Sequence, residues 1–186
     1  WTNPMYPQWQ GDDITANPGS NKQACAALDA FASDGANKGV TDAWNQHYSV
    51  IKAANLITES ASKAPVAQDK INVALGNAHF WRAYAYYYLV RVFGPVPLIT
   101  GTDVSQLEVA PSSVEKVYEL IVSDLKAAVN ELPTKYEKEP SRLFGVDVWT
   151  TKQAAQATLS AVYMSMAGYP LNKGTEYYKL AAEQAK

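Results

Sequence analysis

One cysteine, Cys25, and two histidines, His47 and His79, are all that this 186-residue chain has of the strongest metal-binding side chains. A single cysteine excludes an internal disulfide. It leaves the redox compartment open, because many exported bacterial proteins also lack disulfides. Neither histidine has a second histidine or cysteine at ligand spacing, so each reads as an ordinary helix residue, hydrogen-bonded or exposed. There is no Lys/Arg run, and 16 basic against 18 acidic residues leave a net charge of −2. A nucleic-acid footprint is excluded on that count. No stretch approaches 18 consecutive apolar residues, so no segment reads as a membrane-spanning helix. A phosphate-binding glycine loop, an HExxH helix, a CxxC pair and a GxSxG elbow are all missing. A glycosidase would need two carboxylates at a defined separation, and no such pair stands out.

What is present is apolar and aromatic. Hydrophobic residues make up 47% of the chain and charged ones 18%, the profile of a packed protein and not of a disordered one. The length suits one domain or two small ones, able to bury about 70% of the unfolded surface with no staple. Five Trp, twelve Tyr and four Phe are the most informative part of the composition. The chain opens on Trp1, and Glu183-Gln184-Ala185-Lys186 falls inside a helical pattern. Both ends are therefore expected to be cuts in a longer protein.

Residues 1–40 read as an irregular, loop-rich segment. Trp1 to Gln10 mixes aromatics with prolines and has no helical period. Gly11-Asp12-Asp13 and Asn17-Pro18-Gly19-Ser20-Asn21 are turn formers. A short helix over Ala24–Phe31 is the most that the pattern supports. Long loops in compact domains are commonly functional or disordered, and scattered aromatics favour function.

Residues 41–186 read as helical. Trp44, Tyr48, Ile51 and Asn55 line one face of a helix over 42–60, capped by Thr41 or Asp42. Trp44 reads as core and Asn55 as an interhelical hydrogen-bonding residue. A second helix runs over 68–93 and stops at Gly94-Pro95. Its tract from Phe80 to Val90 is aromatic or apolar nearly all round, the mark of burial on several sides. Within it Arg82 reads as a paired or ring-stacked structural cation. A third helix over 112–132 starts at a Ser112/Glu115 capping box, carries Val114, Val117, Tyr118, Ile121, Leu125, Ala128 and Leu132 on one stripe, and ends at Pro133. A fourth spans 151–168. A fifth opens near Thr175 and is still running at Lys186. Val96–Thr100 and Val146–Trp149 look extended. The alternation of small and large residues from Ala157 to Ala182 resembles a tetratricopeptide unit. The expected fold is all-α: helical hairpins, with 42–60 paired to 68–93 and 112–132 to 151–168, stacked behind the irregular segment.

Sugar recognition needs flat apolar faces for the C–H faces of the rings and short polar groups for the hydroxyls. Trp1, Tyr6 and Trp9, with Asp12, Asp13, Asn17 and Asn21, supply both. The same aromatics serve equally well to pin an irregular segment to the helices. Adjacent carboxylates in a loop point apart, so Asp12 and Asp13 read by default as solvated.

The string from His79 to Thr100, HFWRAYAYYYLVRVFGPVPLIT, resembles the signature of the SusD/RagB family of Bacteroidetes outer-membrane lipoproteins, in which an RFLRA-type start leads through aromatics to LVRLFG and VPL. Trp44 to Asn55 upstream, and Tyr118, Ile121, Asp124-Leu125 and Leu132-Pro133 downstream, agree with it. The resemblance covers most of 41–186, a region that would be part of one larger domain. His79 and Trp81 stand where Arg and Leu are common, and Pro95 replaces an Asp or Asn. The resemblance implies a non-catalytic cell-surface glycan-binding protein without cofactor or metal. It would be lipid-anchored through an upstream cysteine and partnered by a SusC-like TonB-dependent transporter to which it passes oligosaccharides for nutrient uptake. Gly11-Asp12-Asp13 resembles the family's acidic turn, yet Thr15–Asn21 holds no aromatic, so the glycan stays open. A helical-repeat scaffold that binds protein and no sugar is the alternative reading.

Overall fold

The computed structural model describes residues 11–16, 19, 23–103, 108–136 and 149–186. Six α-helices carry the described chain: α1 (Gln23–Asp29), α2 (Lys38–Ser60), α3 (Gln68–Phe93), α4 (Val114–Glu131), α5 (Lys152–Ala167) and α6 (Thr175–Gln184). A two-stranded ribbon, β1 (Val96–Pro97) with β2 (Pro111–Ser112), lies between α3 and α4. The fold is all-α, as the periodicity predicts. The chain divides into two compact units, Trp1–Ser49 and Val50–Lys186, with the boundary inside α2.

Helix ends follow local chemistry. α2 begins at Lys38, ahead of the expected start, because the Asn37 carboxamide oxygen accepts from the N–H groups of Gly39 at 2.8 Å and Val40 at 3.4 Å. That makes Asn37 the cap, and Thr41 instead turns its hydroxyl back onto the carbonyls of Asn37 and Lys38. The cap of α4 is Ser113 and not Ser112; its hydroxyl accepts from Lys116 N–H at 3.4 Å. Thr151 does the same for Ala154 at the start of α5. Gly94 ends α3 with φ +72°, a left-handed conformation that costs a glycine little. α6 ends at Gln184, short of the last residue.

The extended stretch after α3 is shorter than expected. In the antiparallel register Val96 faces Ser112 and Pro97 faces Pro111. Two prolines opposite one another have no N–H to donate, so the ladder stops there. Of the other expected strand, residues 146–148 lie outside the described residues, and Trp149 is exposed.

In the Val50–Lys186 unit, α3 packs along α4, α4 against α5, and α5 against α6. The expected pairing of the fourth and fifth helices therefore holds, and so does that of α4 with α5. The principal partner of α3 is α4, whereas α2 was expected. A close approach makes this possible. A Cβ added to Gly76 of α3 would come within 2.8 Å of Leu132 Cγ and 3.0 Å of Glu131 Cβ. The buried stripe of α4 is Val117, Tyr118, Ile121, Leu125 and Ala128, as its spacing predicts, with Asp124 buried among them. In α5 the buried positions are Ala155, Leu159, Val162, Tyr163, Met166 and Ala167. Tyr163 meets Tyr177 edge-on at 5.9 Å. Tyr169 and Tyr178, expected to fill holes between the helices, are instead 90% and 51% exposed.

The core of this unit contains a buried polar cluster. Arg82 on α3 forks onto Asp124 of α4, with Nε to Oδ2 at 2.7 Å and Nη2 to Oδ1 at 2.8 Å, and its Nη1 donates to Asn55 Oδ1 of α2 at 2.9 Å. The Asn55 amide then donates to the carbonyls of Ile99 at 2.8 Å and Gly101 at 3.1 Å. Arg82, Asp124 and Asn55 are 7%, 4% and 0% exposed. Burial works against the guanidinium charge, but the Asp124 carboxylate more than offsets it and raises the Arg82 pKa. Arg82 and Asn55 thus take the paired roles expected of them. One turn along α3, the Tyr86 hydroxyl accepts from Ile99 N–H at 2.7 Å and lies 3.2 Å from its carbonyl oxygen.

Removing one partner of this fork strands a buried charge. Arg82→Ala and Asp124→Ala are each expected to cost about 3–5 kcal/mol in denaturant unfolding. Arg82→Lys should recover little, since an ammonium cannot reach both carboxylate oxygens and Asn55 in one plane. A second expectation concerns pH. Burial pushes the Tyr86 phenol up to about 12, against the opposing Ile99 hydrogen bond, while an unfolded tyrosine ionises near ~10. Between those values the unfolded state binds fewer protons than the folded state, so the stability due to Tyr86 falls as pH rises; below about 10 it is flat. The destabilisation by Tyr86→Phe, about 1–3 kcal/mol at neutral pH, should shrink between pH ~10 and ~12 in paired unfolding titrations. A gap that stays constant across that range would contradict the assignment.

Candidate functional site

In the Trp1–Ser49 unit, Gly11-Asp12-Asp13 forms the turn its composition predicts, with both carboxylates exposed. Three residues later the chain is pinned: Ala16 is 7% exposed and its N–H donates to Asp29 Oδ2 at 2.9 Å. Asp29 is the last residue of α1, and α1 is held in turn. Cys25 and Leu28 bury its inner face, and the Asn37 amide donates to the Ala24 carbonyl at 3.1 Å. Asn37 thus has two tasks, capping α2 with its oxygen and holding α1 with its nitrogen. A Cβ on Gly39 would sit 3.2 Å from Leu28 Cδ1, so a small residue belongs there. Trp44 and Tyr48 of α2 meet at 4.9 Å. Trp44 is half-buried rather than fully core.

Of the seven candidate sugar-contacting residues, Asp12 and Asp13 are therefore placed side by side on an exposed, anchored turn. Trp1, Tyr6, Trp9, Asn17 and Asn21 lie outside the described residues. Among the described residues no group of three or more His, Cys, Asp or Glu is arranged to hold a metal ion. His47 is bonded to the Ala43 carbonyl at 2.6 Å, and burial lowers its pKa despite that bond. His79 pairs with Glu131 of α4 at 2.7 Å. Both histidines have structural partners.

Two features of the Val50–Lys186 unit escape a reading of the sequence. The α3 aromatic tract is not buried all round: Trp81 and Tyr84 are each 47% exposed, propped by Phe80 at 5.2 and 6.0 Å. The second is a groove where the ends of α3 and α4 and the turn after α5 converge, lined by Arg91, Tyr118, Ser165 and Tyr169 among others. Its residues come from three parts of the chain, and no spacing rule joins them.

Comparison with known proteins agrees with this architecture. A model of the SusD-like family, described as starch-binding associating with outer membrane, matches residues 3–164. SusD-like protein P2 of Formosa agariphila is 33% identical over 135 residues, taking in 70% of this chain and 25% of that protein. A solved SusD superfamily protein from Parabacteroides distasonis superposes with a TM-score of 0.82 at 25% identity, over 98% of this chain and 37% of that one. A further structure, solved with a xylogluco-oligosaccharide, superposes with a TM-score of 0.77 at 25% identity, over 98% and 35% of the two chains. The protein belongs to the SusD-like family, with its tetratricopeptide-type all-α fold, and spans about a quarter or less of the length of the curated relatives it matches.

Asn37→Ala removes a cap and an inter-helix bond together. It is expected to cost about 1–2 kcal/mol and to speed hydrogen exchange at the Gly39 and Val40 amides. Asp29→Ala should speed exchange at Ala16 and leave the α2 amides as they were.

Proposed function

We propose that this chain belongs to a non-catalytic, outward-facing glycan-binding lipoprotein of the outer membrane, which captures oligosaccharides for a SusC-like TonB-dependent transporter. The observation that carries the reading is the family match over residues 3–164. It is supported by the likeness to a structure solved with a xylogluco-oligosaccharide. The helical hairpins act as the frame, and the N-terminal segment supplies the grip. In this reading the rings of Trp1, Tyr6 and Trp9 cover the C–H faces of sugar rings, while Asp12, Asp13, Asn17 and Asn21 bond hydroxyls. Ring stacking and short polar groups hold a sugar without a catalytic pair, since nothing on the sugar has to gain or lose a proton. The pin from Ala16 to Asp29 would keep the acidic turn in place as ligand arrives.

A protein-binding role for the helices is compatible with this and separable from it. Exposed Trp81 and Tyr84 favour it, because paired exposed aromatics are common at interaction surfaces. Trp9→Ala should weaken retention on affinity gels of the recognised polysaccharide by at least about tenfold, roughly the 1.4 kcal/mol of a lost stacking ring, and leave transporter co-purification unchanged. Exposed substitutions on α4 and α6 should do the reverse. Empty results from both a broad glycan panel and transporter pulldowns would end the proposal.

A further inference from the structure

The groove formed by the ends of α3 and α4 and the turn after α5 has a volume of about 450 Å³, within the range of small-ligand sites. Its floor includes Tyr118, 3% exposed, and Pro95 and Pro170 form part of its walls. Burial raises the Tyr118 pKa and Arg91 opposes the rise, so at neutral pH the floor is an uncharged phenol. Arg91 is exposed, and its guanidinium carbon lies 4.4 Å from the centre of the Tyr87 ring. That stacking orients the fork without neutralising it. Arg91 makes no ion pair among the described residues. Among the described residues no acidic side chain lines the groove, and Glu115 in the first turn of α4 is tied to Lys173. The groove therefore presents one uncompensated positive charge among the described residues. Beside it, Tyr169 offers an almost free ring at 90% exposure. The turn carrying Tyr169 is held by the N–H groups of Asn172, Lys173 and Gly174, bonded back to Gly168, Met166 and Ala167 at 2.7–3.0 Å.

A fixed cation beside an exposed aromatic face suits a ligand that is both anionic and flat on one side. A peptide fits less well, because Pro95 and Pro170 give no N–H for strand addition. We propose that this groove is a second saccharide subsite, selective for a uronate residue whose carboxylate pairs with Arg91 while its ring lies against Tyr169. The proposal rests on the glycan-binding reading above and adds a charge preference that the N-terminal segment does not supply.

The test titrates the whole protein calorimetrically with three probes: trigalacturonate, its methyl ester and tetraglutamate. The acid trimer should bind at least about tenfold more tightly than the ester, as expected for a lost bidentate pair. Arg91→Met should bring the acid trimer down to the level of the ester and leave the ester unchanged. Tyr169→Ala should weaken both saccharides, and its ring is too exposed for folding to be at issue. Equal binding of acid and ester, wild-type binding of the acid by Arg91→Met, or tetraglutamate bound as tightly as the trimer with the same Arg91 dependence would each overturn the subsite. Loss of neutral-glycan retention in Trp9→Ala with no Arg91 effect on the acid trimer would sink the subsite alone. If no saccharide of either kind is held, both readings fall.

Discussion

The fork of Arg82 onto Asp124 is the constraint around which the helical unit is arranged. A guanidinium and a carboxylate removed from water are tolerated here because two parallel hydrogen bonds join Nε and Nη2 to the carboxylate while Nη1 donates to Asn55. A slip of α3 along α4 would leave two buried ions unpaired and would break the close approach of Gly76 to Leu132. The same network reaches past the helices. Asn55 and Tyr86 bind the backbone of residues 99–101, fixing a segment whose prolines prevent it from building a longer ladder. A buried polar cluster here replaces the backbone hydrogen bonds that the loop cannot make for itself.

Aromatic residues divide their labour around that network. Tyr86 and Tyr87 are buried and use their hydroxyls as ties, Tyr86 to Ile99 and Tyr87 to Ser165 of α5 at 2.7 Å. The phenol lets a large apolar ring enter the core while its oxygen satisfies a partner. Trp81, Tyr84 and Tyr169 point outward. Trp81 and Tyr84 still pack part of their rings against Phe80 and against each other, whereas Tyr169 leaves almost its whole ring free. The groove near Arg91 sits where helix ends converge, and such ends combine irregular backbone with a rigid base.

The N-terminal unit uses a smaller version of the same device. One amide side chain, Asn37, ties α1 to the start of α2, and one carboxylate, Asp29, ties down the turn that follows Asp12 and Asp13. A turn without regular structure of its own must be held by something else. Here the holding groups are side chains at helix termini, where unsatisfied backbone groups are already exposed.

Periodicity determined that this protein is all-α and which stripe of α4 is buried, because a helix converts spacing directly into a face, and the Gly94-Pro95 breaker marked the end of α3. The string from His79 to Thr100 also carried the family. Capping residues were legible only to within a few positions: Asn37 in place of Thr41, Ser113 in place of Ser112. Each neighbouring polar residue can serve as a cap, and the approach angle of the chain chooses among them. Only the tertiary structure decided that Asp124, an acid in an apolar stripe, answers Arg82, and that α3 takes α4 as its main partner. It alone exposed Trp81, Tyr84 and Tyr169. Burial depends on what the rest of the chain places opposite a side chain, and that is a property of contacts between distant residues, which no local pattern records.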